Sequence, residues 1–276
     1  MCKRHLNDLV FAFLAFALLI GGCGKGEREE LKMVFVSGSN GYFSHVSLPK
    51  YQDYLQNNCE NLQVTLLQAS GELNEKDELS EIEGLEALSN CDVALFFTRR
   101  VTIDGEQLEM VKEYVNSGNP VVAIRTASHG FQNWLEFDSL VLGGNYHGLY
   151  EGNPEEHVMD SISGRTTPKG EPEGPIMEVQ VNPDFQDHPV LTGIDDFKSR
   201  YSLYKNKPLA SDVNILMRGT IKDTITEPVV WTRKYKGANV LYTALGGIRD
   251  FENPVFKKLV TNALFWAANE EQRIKK

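Results

Sequence analysis

Three short runs of uninterrupted apolar residues constrain this chain more than any other feature: Met33–Val36, Val93–Phe97 and Val121–Ile124. A strand with no polar alternation is buried on both faces, and burial on both faces belongs to parallel sheets covered by helices. The segments between the runs read as helices. Leu48–Asn58 places Tyr51, Tyr54 and Leu55 on one face, and Leu108, Val111 and Val115 recur at helical spacing after Asp104. Ser117-Gly118-Asn119-Pro120 stops that second helix. Leu62–Leu67 is a further strand, and Ile82, Leu85 and Leu88 suggest a short helix after an acidic stretch. Alternating strands and helices predict an α/β fold with a doubly wound, largely parallel sheet. Such sheets bind ligands outside the carboxyl ends of their strands. Here those ends are Ser37–Tyr42, Thr98–Arg100 and Arg125–His129.

The second half is less regular. Residues 152–174 are rich in Gly, Pro, Ser, Thr and Glu and read as a long loop over the strand ends. Ile176–Val181 and Asn214–Met217 look like strands. Val229–Lys234 and Asn239–Ala244 look like an antiparallel hairpin turned at Lys236-Gly237, and Pro254–Asn269 like a closing helix.

The amino-terminal end carries an address. A basic start at Lys3-Arg4 precedes an apolar run from Leu9 to Ile20 and then Gly21-Gly22-Cys23. These are the parts of a secretory signal, and the run is shorter than the roughly 20 apolar residues of a membrane span. Ile20-Gly21-Gly22-Cys23 resembles a bacterial lipobox, which implies cleavage after residue 22, lipidation of Cys23 and a cell-envelope location. Residues 23–31 then form a charged tether, and residues 32–270 form one α/β domain. A signal-anchor helix and an ordinary secretory cut are the competing readings. The chain is acidic, with a formal charge of −10 over 276 residues. That balance argues against a nucleic-acid partner, whose phosphates require Lys/Arg neutralisation. Cys59 and Cys91, the remaining cysteines, are read as buried thiols or as a pair that sequence alone does not join.

Many site signatures are missing. There is no G-x-G-x-x-G after the first strand, no Walker loop, no H-E-x-x-H, no C-x-x-C and no G-x-S-x-G elbow. What remains is Arg125-Thr126-Ala127-Ser128-His129 after a strand, and Gly143-Gly144-Asn145-Tyr146-His147-Gly148 shortly after it. Imidazoles titrate near neutrality, so His129 and His147 are candidate acid–base residues. They are also a candidate ligand pair for a divalent metal; no cofactor is otherwise indicated. Arg125, Asn145 and Tyr146 are candidates to orient a substrate, with Arg99 at the third strand end to hold an anionic or hydroxyl-rich ligand. His45, just past the first strand, reaches the same crevice or sits at the surface where the chain enters the helix. His188 reads as a structural turn residue and His157 as a solvated one.

Together, Ile124–Phe131, Gly143–His147, His188-Pro189-Val190-Leu191-Thr192-Gly193, Pro228–Trp231 and Phe265-Trp266-Ala267 resemble the ThuA-like (trehalose-utilisation) proteins. The resemblance implies a flavodoxin-like fold related to class I glutamine amidotransferases, and a link to sugar metabolism. Its two recognisable histidines fall on His129 and His147. The amidotransferase cysteine is unmatched, since Thr126 or a neighbour stands at the elbow, so glutaminase activity is not expected. Two functions are therefore carried forward. One is an envelope lipoprotein acting on a carbohydrate, a keto-sugar or glycoside, by histidine acid–base catalysis as a hydrolase, lyase or isomerase. The other is a non-catalytic sugar-binding lipoprotein.

Overall fold

A computed structural model describes residues 30–71, 79–150, 157–159, 166–168, 176–270 and 272. The expected signal, Cys23 and most of the expected long loop lie outside the described residues. The first half alternates as its apolar runs require: β1 (Leu31–Gly38), α1 (Ser44–Asn58), β2 (Leu62–Ser70), β3 (Glu81–Ile82), β4 (Val93–Thr98), α2 (Gly105–Asn116) and β5 (Val121–Ile124). Every residue of β4 and β5 is buried. The Asp104 side chain caps α2 by accepting from Gln107 N. Short strands β6 (Leu149–Tyr150), β7 (His157–Met159) and β8 (Thr166–Pro168) follow. Then come β9 (Met177–Val181), β10 (Phe197–Ser199), β11 (Leu203–Tyr204), β12 (Asn214–Ile221), β13 (Ile225–Tyr235), β14 (Ala238–Thr243) and the closing helix α3 (Pro254–Ala267).

Ten strands make one sheet in the order β10-β9-β12-β13-β14-β5-β4-β1-β2-β3. The five from β2 to β14 run parallel. From β1 the chain crosses outward to β2, and from β4 it crosses the other way to β5. Right-handed crossovers in opposite directions place α1 and α2 on opposite faces, the doubly wound arrangement. α3 joins α1, where Tyr51 Oη and Thr261 Oγ1 lie 2.9 Å apart.

The expected hairpin is present as β13 and β14, but it is part of something larger. β14 docks parallel to β5, while β13, β12, β9 and β10 continue the sheet antiparallel. Cys59 and Cys91 are not joined in a disulfide. Among the described residues no helix is long and apolar enough to cross a membrane.

Candidate functional site

β5 ends in a sharp turn, Arg125–His129, whose first residue has φ +46. A left-handed non-glycine residue is uncommon and costs energy, so its surroundings must hold it. Here they do. Tyr242 Oη donates to Arg125 O at 2.7 Å, and Ser39 Oγ meets Thr126 Oγ1 at 2.8 Å, tying the β1 end to the β5 end. Arg125 itself, expected to orient a substrate, is completely buried. Its Nη1 donates to Ala244 O at 2.6 Å, and Nη2 to Ser202 O and Oγ. The guanidinium carbon lies 4.5 Å from the ring centres of both Tyr42 and Tyr204, and 5.2 Å from Tyr201. Burial alone would lower the Arg125 pKa, but Tyr204 and Tyr42 raise it instead. In return, burial pushes the Tyr42 phenol up, yet Arg125 and Arg99 outweigh it and hold it below its ordinary value.

Above this hub is a cavity of about 410 Å³ lined by Arg99, Arg100, Ser128, His129, Gln132, Leu135, Asp138 and Tyr146. It sits where β4 and β5 end, next to the switch between β1 and β4, the position at which a doubly wound sheet binds its ligand. His129 stacks on Tyr146 with ring centres 4.2 Å apart and planes 14° from parallel. Its Nδ1 lies 3.1 Å from Ser128 Oγ. Burial, then the charges of Arg99, Arg125 and Arg100, pull the imidazole down to about 3. His129 is therefore neutral at ordinary pH.

Asp138 is the residue that sequence reasoning missed. It lies in a π-helical turn, Phe137–Leu142, that Gly143 ends at φ +72. Such turns recur at functional sites. The antiparallel half of the sheet fixes it: Trp231 Nε1 donates to Leu142 O at 2.8 Å, and Arg233 Nη1 to Leu140 O at 3.1 Å. Asp138 Oδ2 accepts from Tyr146 N at 2.7 Å, while Oδ1 is buried without a hydrogen-bond partner. A Cβ on Gly144 would fall 2.2 Å from that Oδ1, so the carboxyl fits only against a glycine. Burial pushes Asp138 up to about 6 against the pull of the Tyr146 N–H. The π turn was a weak signal in sequence, because Phe137-Asp138-Ser139-Leu140-Val141-Leu142 reads as amphipathic helix; only the glycine pair behind it marks a close approach.

The other sequence candidates are distributed unevenly. His129, Arg99 and Tyr146 line the cavity. His147 is exposed, does not line it, and places Nδ1 2.8 Å from Asn145 O. Asn145 is also exposed and donates through Nδ2 to Lys207 O at 3.3 Å. His45 is half-buried in the first turn of α1, its ring centre 6.0 Å from that of Phe43. Among the described residues, no group of three or more His, Cys, Asp or Glu is arranged to hold a metal ion. His188 accepts from Val190 N through Nδ1 and caps its own turn.

Fold and cavity together define a flavodoxin-like α/β protein with its site over the carboxyl ends of the parallel strands. The family described as ThuA, trehalose utilisation, matches residues 32–267, and the chain belongs to it. A ThuA-like protein from Parabacteroides merdae ATCC 43184 superposes with a TM-score of 0.63 at 21% identity, covering 90% of this chain and 93% of that one. A second, from Bacteroides uniformis ATCC 8492, gives 0.60 at 14% identity, covering 89% and 94%. A β-galactosidase from Bacillus circulans sp. alkalophilus gives 0.52 at 14% identity, covering 85% of this chain but 31% of that one. None of the curated proteins matches the sequence.

Proposed function

We propose that this ThuA-like domain acts on a carbohydrate by acid–base chemistry in the cavity over β4 and β5, and that a lipid on Cys23 holds it in the cell envelope. The observation that carries the reading is the convergence, within about 410 Å³, of an imidazole, a carboxyl, an amide, a hydroxyl, a phenol and two guanidiniums. A polyhydroxylated ligand needs donors and acceptors on every side, and cavities of roughly 300–1,000 Å³ hold small molecules of that size. The exposed Leu135 adds an apolar patch for the C–H face of a sugar ring. Membership of a family described as trehalose utilisation supports a sugar ligand.

Within the site the roles divide by charge. A proton-transfer group works best with a pKa near the operating pH, and Asp138, at about 6, is closer to it than His129, at about 3. Asp138 takes the proton from a substrate hydroxyl or from carbon beside a carbonyl, becoming the carboxylic acid and leaving the negative charge on substrate oxygen. Neutral His129 accepts or donates a hydrogen bond to a hydroxyl. His147, expected to exchange protons with His129, lies outside the cavity wall and takes no step in this scheme.

Incubating the full chain with a panel of sugars, glycosides and keto-sugars, followed by NMR, tests the reading. Turnover that Asp138→Asn abolishes while binding persists supports it. Binding without turnover anywhere in the panel favours the sugar-binding lipoprotein, which the unprotonated state of His129 also suits. Cys23→Ser should release the protein from the membrane fraction or leave an uncleaved precursor. Retention with normal cleavage contradicts the anchor.

A further inference from the structure

We propose that the ligand of this cavity carries an anionic group, a carboxylate or a phosphate, which Arg99 and Arg100 hold together. The inference rests on the carbohydrate reading and narrows it to acidic or phosphorylated sugars. Successive side chains of a strand point to opposite faces. Arg99 and Arg100 follow β4 directly, yet both line the same cavity. The backbone makes this so: Arg100 has φ +52, a conformation that glycine would adopt at no steric cost and arginine does not. The chain thus keeps a strained arginine where a relaxed glycine would serve the turn alone.

Arg99 is accommodated as closely. A Cβ on Gly41 would come within 2.7 Å of Arg99 Nη1, so the first strand end presents bare backbone to the guanidinium. The Tyr42 ring lies 5.9 Å from its central carbon. Some cations of the chain find carboxylates, as Arg233 does at Asp212 and Lys198 at Glu178. Neither Arg99 nor Arg100 has an ion-pair partner among the described residues. The one acid on the cavity wall among the described residues, Asp138, binds the Tyr146 N–H. The uncompensated charge acts on its surroundings, since both arginines help to keep the His129 imidazole unprotonated. A planar guanidinium matches a carboxylate or phosphate with two parallel hydrogen bonds, and a pair of them on one wall is a site for such a group.

Calorimetric titration of the purified full chain with glucuronate, glucose 6-phosphate, inorganic phosphate and glucose tests this. The expected result is binding of glucuronate or glucose 6-phosphate at least about ten-fold tighter than glucose, weakening as salt rises from about 0.05 to 0.5 M. Which of the two sugars wins separates carboxylate from phosphate. Arg99→Ala and Arg100→Ala should each lose about ten-fold or more, and Arg99→Lys and Arg100→Lys less. Lys198→Ala, at the far edge of the sheet, should change nothing. Equal binding of glucose and the anionic sugars would overturn the anionic preference while leaving the carbohydrate reading intact. Inorganic phosphate bound through Arg99 and Arg100 with no sugar bound would retain the cationic site and sink the carbohydrate reading. Anion binding indifferent to both arginines overturns the proposal.

Discussion

Beneath the β5 turn and above it lie two regions made from the same side chains, arginine and tyrosine, with opposite consequences. Below, Arg125 is fully buried among Tyr42, Tyr201 and Tyr204, and both its Nη nitrogens have backbone acceptors. Above, Arg99 and Arg100 line an open cavity and, among the described residues, form no ion pair, Asp138 on the same wall being held by the Tyr146 N–H. A desolvated guanidinium between aromatic faces is a structural member, because removing it strands carbonyls and opens a void. A guanidinium that is half-buried, like Arg99, or exposed, like Arg100, and forms no ion pair contributes little to folding, so the fold does not explain the pair. Residue type did not separate the two roles; burial and partners did.

The most disruptive single change is Arg125→Met. It keeps much of the volume but leaves Ala244 O and Ser202 O without donors in a buried place. We expect a loss of about 3 kcal/mol or more in denaturant unfolding, the scale of a broken buried charge network. Next is Gly144→Ala, whose new methyl carbon would meet Asp138 Oδ1. Overpacking of this kind costs about 1–3 kcal/mol, and the displaced carboxyl should lose its ligand response as well.

The pH dependence of stability sharpens the comparison inside the cavity, because its two titrating groups act in opposite directions. Asp138 is raised from an ordinary 3.8 to about 6, so the folded chain holds its proton more tightly. Its contribution therefore favours folding below about pH 4 and is lost as pH rises to about 6. His129 is lowered from 6.5 to about 3, so the unfolded chain takes its proton first. Its contribution is present above about pH 6.5 and is lost as pH falls toward 3. Asp138→Asn should thus leave a variant that loses stability on acidification from pH 6.5, and gains up to about 3 kcal/mol over the parent at pH 7. His129→Gln should leave one that gains stability from pH 6 to pH 4. Parallel slopes in the two variants would contradict the assignment. The smallest effect belongs to Arg99→Ala and Arg100→Ala, which should each move stability by no more than about 0.5 kcal/mol. A large loss in either would make them members of the hub rather than of the cavity.

Legibility from sequence divided along the same line. Val93–Phe97 and Val121–Ile124 announced themselves because burial on both faces admits only apolar residues, and the strands fall where those runs do. The parallel order then located the ligand edge, and with it His129, Arg99 and Tyr146. The sequence of β9 and of β12 reads as strand but that of β10 does not, and none of the three can be placed in the sheet from it, since a run such as Met177-Glu178-Val179-Gln180-Val181 alternates and specifies no neighbour. Asp138 was hidden because its place on the cavity wall depends on a π turn held by Trp231, about ninety residues away in sequence, a contact that no local pattern encodes. Arg125 and His147 looked like site residues for the opposite reason. Both stand in glycine- or turn-rich segments at the ligand edge, and only packing shows that one turns inward and the other faces solvent.

On the reading proposed above, a sugar binds in the cavity walled by His129, and not along the exposed turn that carries His147. The most direct test is calorimetric titration of the wild-type chain, His129→Gln and His147→Gln with whichever saccharide of the panel gives the largest thermal shift. His129→Gln should weaken binding about ten-fold or more, while His147→Gln should leave it within about two-fold. Loss in His147→Gln with His129→Gln unaffected would contradict that reading.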